Sequence, residues 1–410
     1  MALAEPNAGD IYIGRQPIYD RELNVVAYEL LYRSSDSSNM AGSSDGEMMT
    51  TQVVINAFME IGFDDLVGDC KAFVNMPRGF IIGEHTLSLP SDKLVLEILE
   101  DVKVDELIIK SVQNLANQGY TIALDDFVYH ESLKPLVNLA DIIKIDLMAL
   151  STAELEAHVE LLRREHKVKL LAEKVESKEE FERCKQLGFE YFQGYFFSKP
   201  QIIKGAKMPT NRLAILQLVA KIYEPEVTYQ ELENVISQDV SLSYKLLRVI
   251  NSAAYALPKK IESMKHALTI LGLKNIRNWI TMIVFSGVSD KPSELMKSAM
   301  IRAKMCELLA AATGVREIDS YFTVGLFSTL DALMDQPLAD LLAPLPLSVE
   351  VKQALLQYTG KMGTILACAT AYEKGDWSHV VIEQLTPPQI KQAYVDALHW
   401  SREVSRELAQ

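Results

Sequence analysis

Between Ile11 and about Pro200, short runs rich in β-branched residues alternate with stretches whose apolar residues fall at helical spacing. The runs are Ile11 to Ile13, Val25 to Tyr32, Ala72 to Val74, Leu94 to Ile98, Thr121 to Leu124, Ile142 to Ile145, Lys169 to Ala172 and Tyr191 to Phe192. Strand-like runs separated by helical stretches favour an α/β, TIM-like barrel. The intervening pieces Thr50 to Ile61, Val104 to Asn117 and Lys178 to Leu187 end near Gly62, Gly119 and Gly188, which are placed to terminate helices. The polar segment Ser34 to Gly46 reads as a solvated loop.

After Gln201 the pattern changes to almost wholly helical sequence. This divides the chain into a disordered N-terminus at 1–10, a barrel at 11–203 and an all-α domain at 204–410. Thr210 or Asn211 can cap a helix running to about Tyr223, and Thr228 with Glu231 fits a capping box. Asp239 can cap a helix whose Leu242, Leu246, Leu247 and Ile250 share a stripe. Further helices are expected over Met264 to Leu271, Asn275 to Phe285, Glu294 to Thr313, Ser320 to Met334, Val349 to Leu356, Thr364 to Lys374 and Pro388 to Glu407.

Charge narrows the partners. The net charge of -14 comes entirely from residues 1–205, which hold 20 Lys+Arg against 34 Asp+Glu, whereas 206–410 hold 21 of each. Neither half has the basic excess that phosphate backbones demand, so nucleic acid is not an expected partner. Cys70, Cys184, Cys306 and Cys368 lack C-x-x-C spacing and read as buried thiols in a reducing compartment. No apolar run approaches the roughly 18 residues of a membrane span, and no signal peptide pattern opens the chain. The expected setting is the cytoplasm, with no membrane partner.

Polar residues close most of the strand-like runs, where an α/β barrel places the groups that do chemistry. In YELLYR, Glu29 and Arg33 share one face of a strand, offering a carboxylate for a metal and a guanidinium for a phosphate. Asn75 in FVNMP and Glu100 in LVLEILE add oxygen donors suited to a hard cation. Asp125 and Asp126 are adjacent carboxylates, as a metal pair for in-line phosphodiester cleavage requires. Lys144 is suited to hold a water or phosphate oxygen and to offset crowded carboxylates. Glu173, Glu176 and Gln193 close the seventh and eighth runs. Each residue alone reads as a turn, a cap or an exposed charge; their co-occurrence after apolar runs points to a site.

These segments resemble the EAL family of cyclic di-GMP phosphodiesterases over residues 11 to 200. RQPIYD, YELLYR, FVNMP, LEILE, ALDDF, IIKID, LLAEKVE and YFQGYFFSKP carry the resemblance in order. It implies hydrolysis of cyclic di-GMP to linear pGpG with two Mg²⁺ or Mn²⁺ ions. By this match Glu29, Asn75, Glu100 and Asp125 hold one metal, and Asp125, Asp126 and Glu173 hold or serve the other. Lys144 and Glu173 are the catalytic residues. Gln16 and Arg33 contact the dinucleotide, with Glu176 and Gln193 supporting the cleft. Val128, Tyr129 and His130 replace the glycines of the family's lid, and Lys174 stands where the family has Gly.

Residues 235 to 280 resemble the HDOD domain, a helical relative of the HD phosphohydrolases, through Asp239, Leu246, Asn251, Ser252, Ile261, His266, Ala267, Leu271 and Gly272. No His is followed by Asp, so a metal is not expected there, and His266 reads as a packed or capping histidine. The expected role of this domain is regulatory, through a protein partner held by exposed Trp or Tyr; a homodimer is a further expectation. Besides the regulated phosphodiesterase, a cyclic di-GMP receptor or signalling scaffold with little or no turnover stays open. A protein-binding module with a dead pocket ranks last, because it leaves the clustered carboxylates unexplained.

Overall fold

The computed structural model describes residues 11–34, 66–83, 90–100, 102–127, 130, 133–194, 210–237, 240–251, 261, 264–286, 291–315 and 318–409. The expected helix at 50–61, the loop at 34–46, the disordered terminus and the domain boundary at 203/204 lie wholly or mostly outside these residues, as do Val128, Tyr129 and Asp239. The chain divides into two compact units near Phe197 and Ser198.

The first unit is a closed barrel of β1 (Ile11–Tyr19), β2 (Val25–Ser34), β3 (Lys71–Asn75), β4 (Leu94–Ile98), β5 (Thr121–Leu124), β6 (Ile142–Asp146), β7 (Lys169–Glu173) and β8 (Tyr191–Phe192). Strands β2 to β8 run parallel, while β1 is antiparallel to both β2 and β8. Between them lie α1 (Arg78–Ile81), α2 (Glu106–Asn117), α3 (Lys134–Val137), α4 (Thr152–Glu165) and α5 (Lys178–Leu187). Helices α4 and α5 each open with a capping box, Ser151 with Glu154 and Ser177 with Glu180, which satisfies first-turn amides.

The barrel interior follows from the two-residue period of strands. Ile18, Ala27, Phe73, Val95, Ala123, Ile142 and Leu171 form one buried apolar layer, packed against Tyr191. Each of the larger side chains contributes roughly 1.5–3 kcal/mol by leaving water. One step of two residues along every strand leads from this layer to a polar residue on the same inward face.

The second unit contains α6 (Thr210–Ile222), α7 (Tyr229–Ser237), α8 (Val240–Ile250), α9 (Met264–Ser286), α10 (Ser293–Ala312), α11 (Ile318–Phe327), α12 (Leu330–Met334), α13 (Leu338–Leu342), α14 (Val349–Gln357), α15 (Gly360–Glu373) and α16 (Pro387–Ala409). The Thr228–Glu231 capping box opens α7. Helix α9 is two helices joined at Gly272, whose φ of 75° favours glycine. The segment expected as one helix from Ser320 to Met334 is two, because Ser328 and Thr329 hydrogen-bond back to Gly325 and Leu326 and end α11. His266, expected to be packed or to cap, is exposed on α9. Tyr229, Tyr244 and Tyr358 are exposed aromatics of this unit. Cys184, Cys306 and Cys368 are buried free thiols, and Cys70 is half-buried. Among the described residues no helix is long and apolar enough to cross a membrane.

Candidate active site

The polar layer above the apolar one consists of Gln16, Glu29, Asn75, Glu97, Asp125, Lys144, Glu173 and Gln193, with each strand contributing or directly preceding one member. Backbone register aligns them: Gln16 lies opposite Glu29, and Asn75 opposite Glu97. Hydrogen bonds tie the rim across strands, from Met76 N to Glu97 O at 2.8 Å, Asp125 N to Ile98 O at 3.0 Å and Gln193 N to Ala172 O at 2.8 Å. Val175 N donates to Gln193 O at 3.0 Å, and this crossing needs Gly194, since a Cβ there would lie 2.3 Å from the Val175 backbone.

Lys144 stands at the centre, 1% exposed. Its ammonium lies 2.7 Å from Glu97, 2.7 Å from Asp125, 3.0 Å from Glu173 and 3.6 Å from Glu29. Gln193 donates to Glu29 Oε2 at 2.6 Å and fixes that carboxylate. Burial alone would favour the neutral amine, but the surrounding carboxylates hold the Lys144 pKa well above its ordinary value. Burial pushes the Glu97 carboxyl well above the usual range; Lys144 pulls it down, and Glu29 and Asp125 reinforce the rise. Burial, opposed by Lys144 and helped by Asp125 and Glu29, likewise pushes Glu173 up to about 8. Asp126 is exposed at a φ of 42°, and its carboxyl is raised by partial burial and by Asp125.

Four carboxylates face one ammonium, so this inner cluster is three charges short of neutrality when all its groups are ionised. Glu97 Oε2, Asn75 Oδ1 and Gln193 Oε1 are buried with no hydrogen-bond partner among the described residues. Buried acceptors without donors are costly, and an all-oxygen donor set with excess negative charge suits a hard divalent cation. Carboxylate oxygens of Asp125, Asp126 and Glu173 all lie within 4.8 Å of one another, which is a second ligand grouping sharing Asp125. The residues therefore fit metal ions on their own geometry.

The sequence-expected set is largely brought together, with two departures and one residue that stays unplaced. Glu100 does not join the cluster: it is exposed in the turn beyond β4, and Glu97 occupies the inward position instead. The signal was present in LVLEILE, because only Glu97 is two residues from the inward Val95; Glu100 has the opposite parity. Glu176 is exposed past β7, its amide donating to Glu180 Oε2 at 2.7 Å, and it stands outside the inner cluster. Arg33 lies on β2 opposite Tyr12, with its side chain outside the described residues. Lys174, at a φ of 56°, pairs with Asp146 and acts electrostatically on Asp126 and Glu173.

A closed α/β barrel whose mouth carries a metal-fitting carboxylate cluster, followed by an all-α unit, defines a two-domain barrel protein with a candidate metal site. The EAL domain model matches residues 81–200 and the HDOD domain model residues 208–339. The cyclic di-GMP phosphodiesterase CdgJ of Vibrio cholerae is 34% identical over 405 residues, covering 96% of this chain and 93% of the relative. The uncharacterized protein YuxH of Bacillus subtilis is 34% identical over 401 residues, covering 95% and 98%. The solved structure of the Bacillus subtilis YkuI protein, with an EAL domain in complex with c-di-GMP and calcium, aligns at a TM-score of 0.39 and 20% identity, covering 57% of this chain and 73% of that one. A standalone EAL protein from Vibrio cholerae in a c-di-GMP-bound form aligns at 0.38 and 22% identity, covering 48% and 93%. The chain belongs to the EAL and HDOD domain-containing protein family.

Proposed function

We propose that this chain is a divalent-metal-dependent cyclic di-GMP phosphodiesterase that opens the ring to linear pGpG, with its helical unit as the regulator. The observation that carries this reading is the buried, net-negative ring of oxygen donors around Lys144, with acceptors at Glu97 and Asn75 unpaired among the described residues. Support from kinship comes from CdgJ, a full-length relative whose name gives this activity.

In this reading Glu29, Asn75, Glu97 and Asp125 hold one Mg²⁺ or Mn²⁺, and Asp125, Asp126 and Glu173 hold the second. Such ions, when bound, acidify water and neutralise phosphate charge. The chain's own groups supply the positioning. Gln193 keeps Glu29 in its rotamer, and Lys144 offsets the mutual repulsion of Asp125 and Glu173 and helps position the attacking water through the carboxylates it holds. The water oxygen bonds to phosphorus as the bond to the 3′-oxygen breaks, and the proton released by the water ends on that leaving oxygen. Arg33 and Gln16 contact the dinucleotide.

Purified full-length protein incubated with cyclic di-GMP and Mg²⁺ or Mn²⁺ tests this by chromatography of the product. Accumulation of pGpG that is lost in Glu29→Ala and in Glu97→Gln supports the enzyme. Tight binding without product in either metal would replace it with a receptor, a second reading favoured by the Lys174 ammonium, which acts on Asp126 and Glu173 at the second grouping.

A further inference from the structure

A cavity of about 530 Å³ opens in the helical unit, between the residues just after α6, the second half of α9 and the starts of α11 and α14. Its volume falls in the range of small-molecule sites. We propose that it binds a phosphate monoester carrying a flat or apolar body, of mononucleotide size.

Charge is the first argument. Lys274 and Arg277 line the cavity one helical turn apart, against the single carboxylate of Asp319. Arg277 is anchored by a bond from Nη2 to Glu224 O at 3.0 Å, with its guanidinium over the Tyr223 ring at 5.9 Å. Its Nε is buried and unpartnered among the described residues.

Backbone polarity is the second. Three helical segments begin at this one cavity: α9 resumes after Gly272, just before Lys274; α11 begins beside Asp319 and Ser320; and α14 begins after its N-cap Ser348. First-turn amides lack intrahelical acceptors and carry the positive end of the helix dipole, so an anion meets favourable groups from three directions. Ser348 already serves the Val351 amide at 3.3 Å, which leaves the amides before it for a ligand.

The third argument is a buried amide. Asn278 is 5% exposed yet lines the cavity. Its Oδ1 accepts from Tyr223 at 2.9 Å and Thr323 at 2.8 Å, and one Nδ2 hydrogen reaches Asp319 O at 3.3 Å. The second amide hydrogen has no acceptor among the described residues. Apolar lining from Pro225, Leu347 and Val351 suits the organic body of the ester.

Calorimetry on the full chain in EDTA, which keeps divalent ions from the barrel, tests this with AMP, adenosine and inorganic phosphate as probes. AMP is expected to bind, with adenosine at least tenfold weaker, and Lys274→Ala and Arg277→Gln each weakening AMP about tenfold or more. Lys361→Ala, an exposed charge on another helix, leaves binding unchanged. Thermal melts confirm that each variant is folded, and Lys274→Ala, on an exposed residue, decides the matter should Arg277→Gln melt early. Equal binding of AMP and adenosine, AMP binding that survives both substitutions, loss in Asp125→Asn instead, or no AMP binding at millimolar concentration would each overturn the proposal.

Discussion

Replacing Glu97 by Gln separates what the cluster costs from what it does. Glu97 is 0% exposed, its desolvation outweighs its attraction to Lys144, and its carboxyl therefore holds a proton above the usual pH range. Gln has the same shape and is always neutral, so without metal at pH 5 the variant matches wild type to within about 1 kcal/mol, unlike a large-to-small truncation at roughly 2–5 kcal/mol. As pH rises, the sign is set by a folded pKa above the unfolded one: the folded state binds the extra proton, so wild-type stability is fully present at low pH and falls as pH climbs toward the folded value. One proton is worth about 1.4 kcal/mol per pH unit, which caps the Glu97 contribution between pH 5 and 8 at about 4 kcal/mol. Urea titrations in EDTA at pH 5 and 8 should show the wild type losing at least about 1.4 kcal/mol more than Glu97→Gln over this range. Glu173, raised to about 8, adds the same direction of slope to both proteins. Added Mn²⁺ should then stabilise the wild type more at pH 8 than at pH 5 and stabilise the variant less, through the Asp125, Asp126 and Glu173 grouping alone. Parallel pH curves, or a loss above about 3 kcal/mol in the variant at pH 5, would refute the reasoning that burial keeps this carboxyl neutral.

Lys144→Met leaves the carboxylates without their buried counter-charge, and chemical denaturation at pH 8 in EDTA is expected to show a loss of about 3–5 kcal/mol, smaller at pH 5 where Glu97 and Glu173, both raised by burial, hold their protons. Lys174→Gly removes a cation beside Asp126 and relieves a left-handed backbone; Mn²⁺ affinity by calorimetry should tighten up to about fivefold, the scale of an exposed ion pair. Gly194→Ala puts a methyl 2.3 Å from the Val175 backbone, and circular dichroism melts should show a loss of roughly 3 kcal/mol or more, with weaker metal binding because Gln193 moves.

The barrel was legible because its strands and its inward polar residues obey one rule, alternation by two. Runs at Leu94, Thr121 and Tyr191 begin and end where the structure has β4, β5 and β8, since turn residues bound them on both sides. β1 is longer than Ile11 to Ile13: Gly14 and Pro17 argue against a strand in sequence, and cross-strand pairing with β2 overrides them. The end of the apolar run points to Glu100, whereas parity, which register enforces, turns Glu97 inward. In the helical unit the periodic stretches were readable, including the break that Gly272 imposes on α9. The break near Ser328 was not, because it depends on side chains bonding to carbonyls within α11 rather than on any proline or glycine.

Reversal of β1 sets which end of the barrel the first described residue occupies. Ile11 pairs with Ser34, at the carboxyl end of β2, so β1 starts on the side of the metal-fitting cluster and runs past Gln16 to Tyr19, which pairs with Phe192. In an all-parallel barrel the first strand would start at the floor; here it starts on the side of the ligand cluster. Shortening β1 from its Ile11 end therefore removes backbone pairing from β2 on the side of the ligand cluster, not at the opposite end of the barrel.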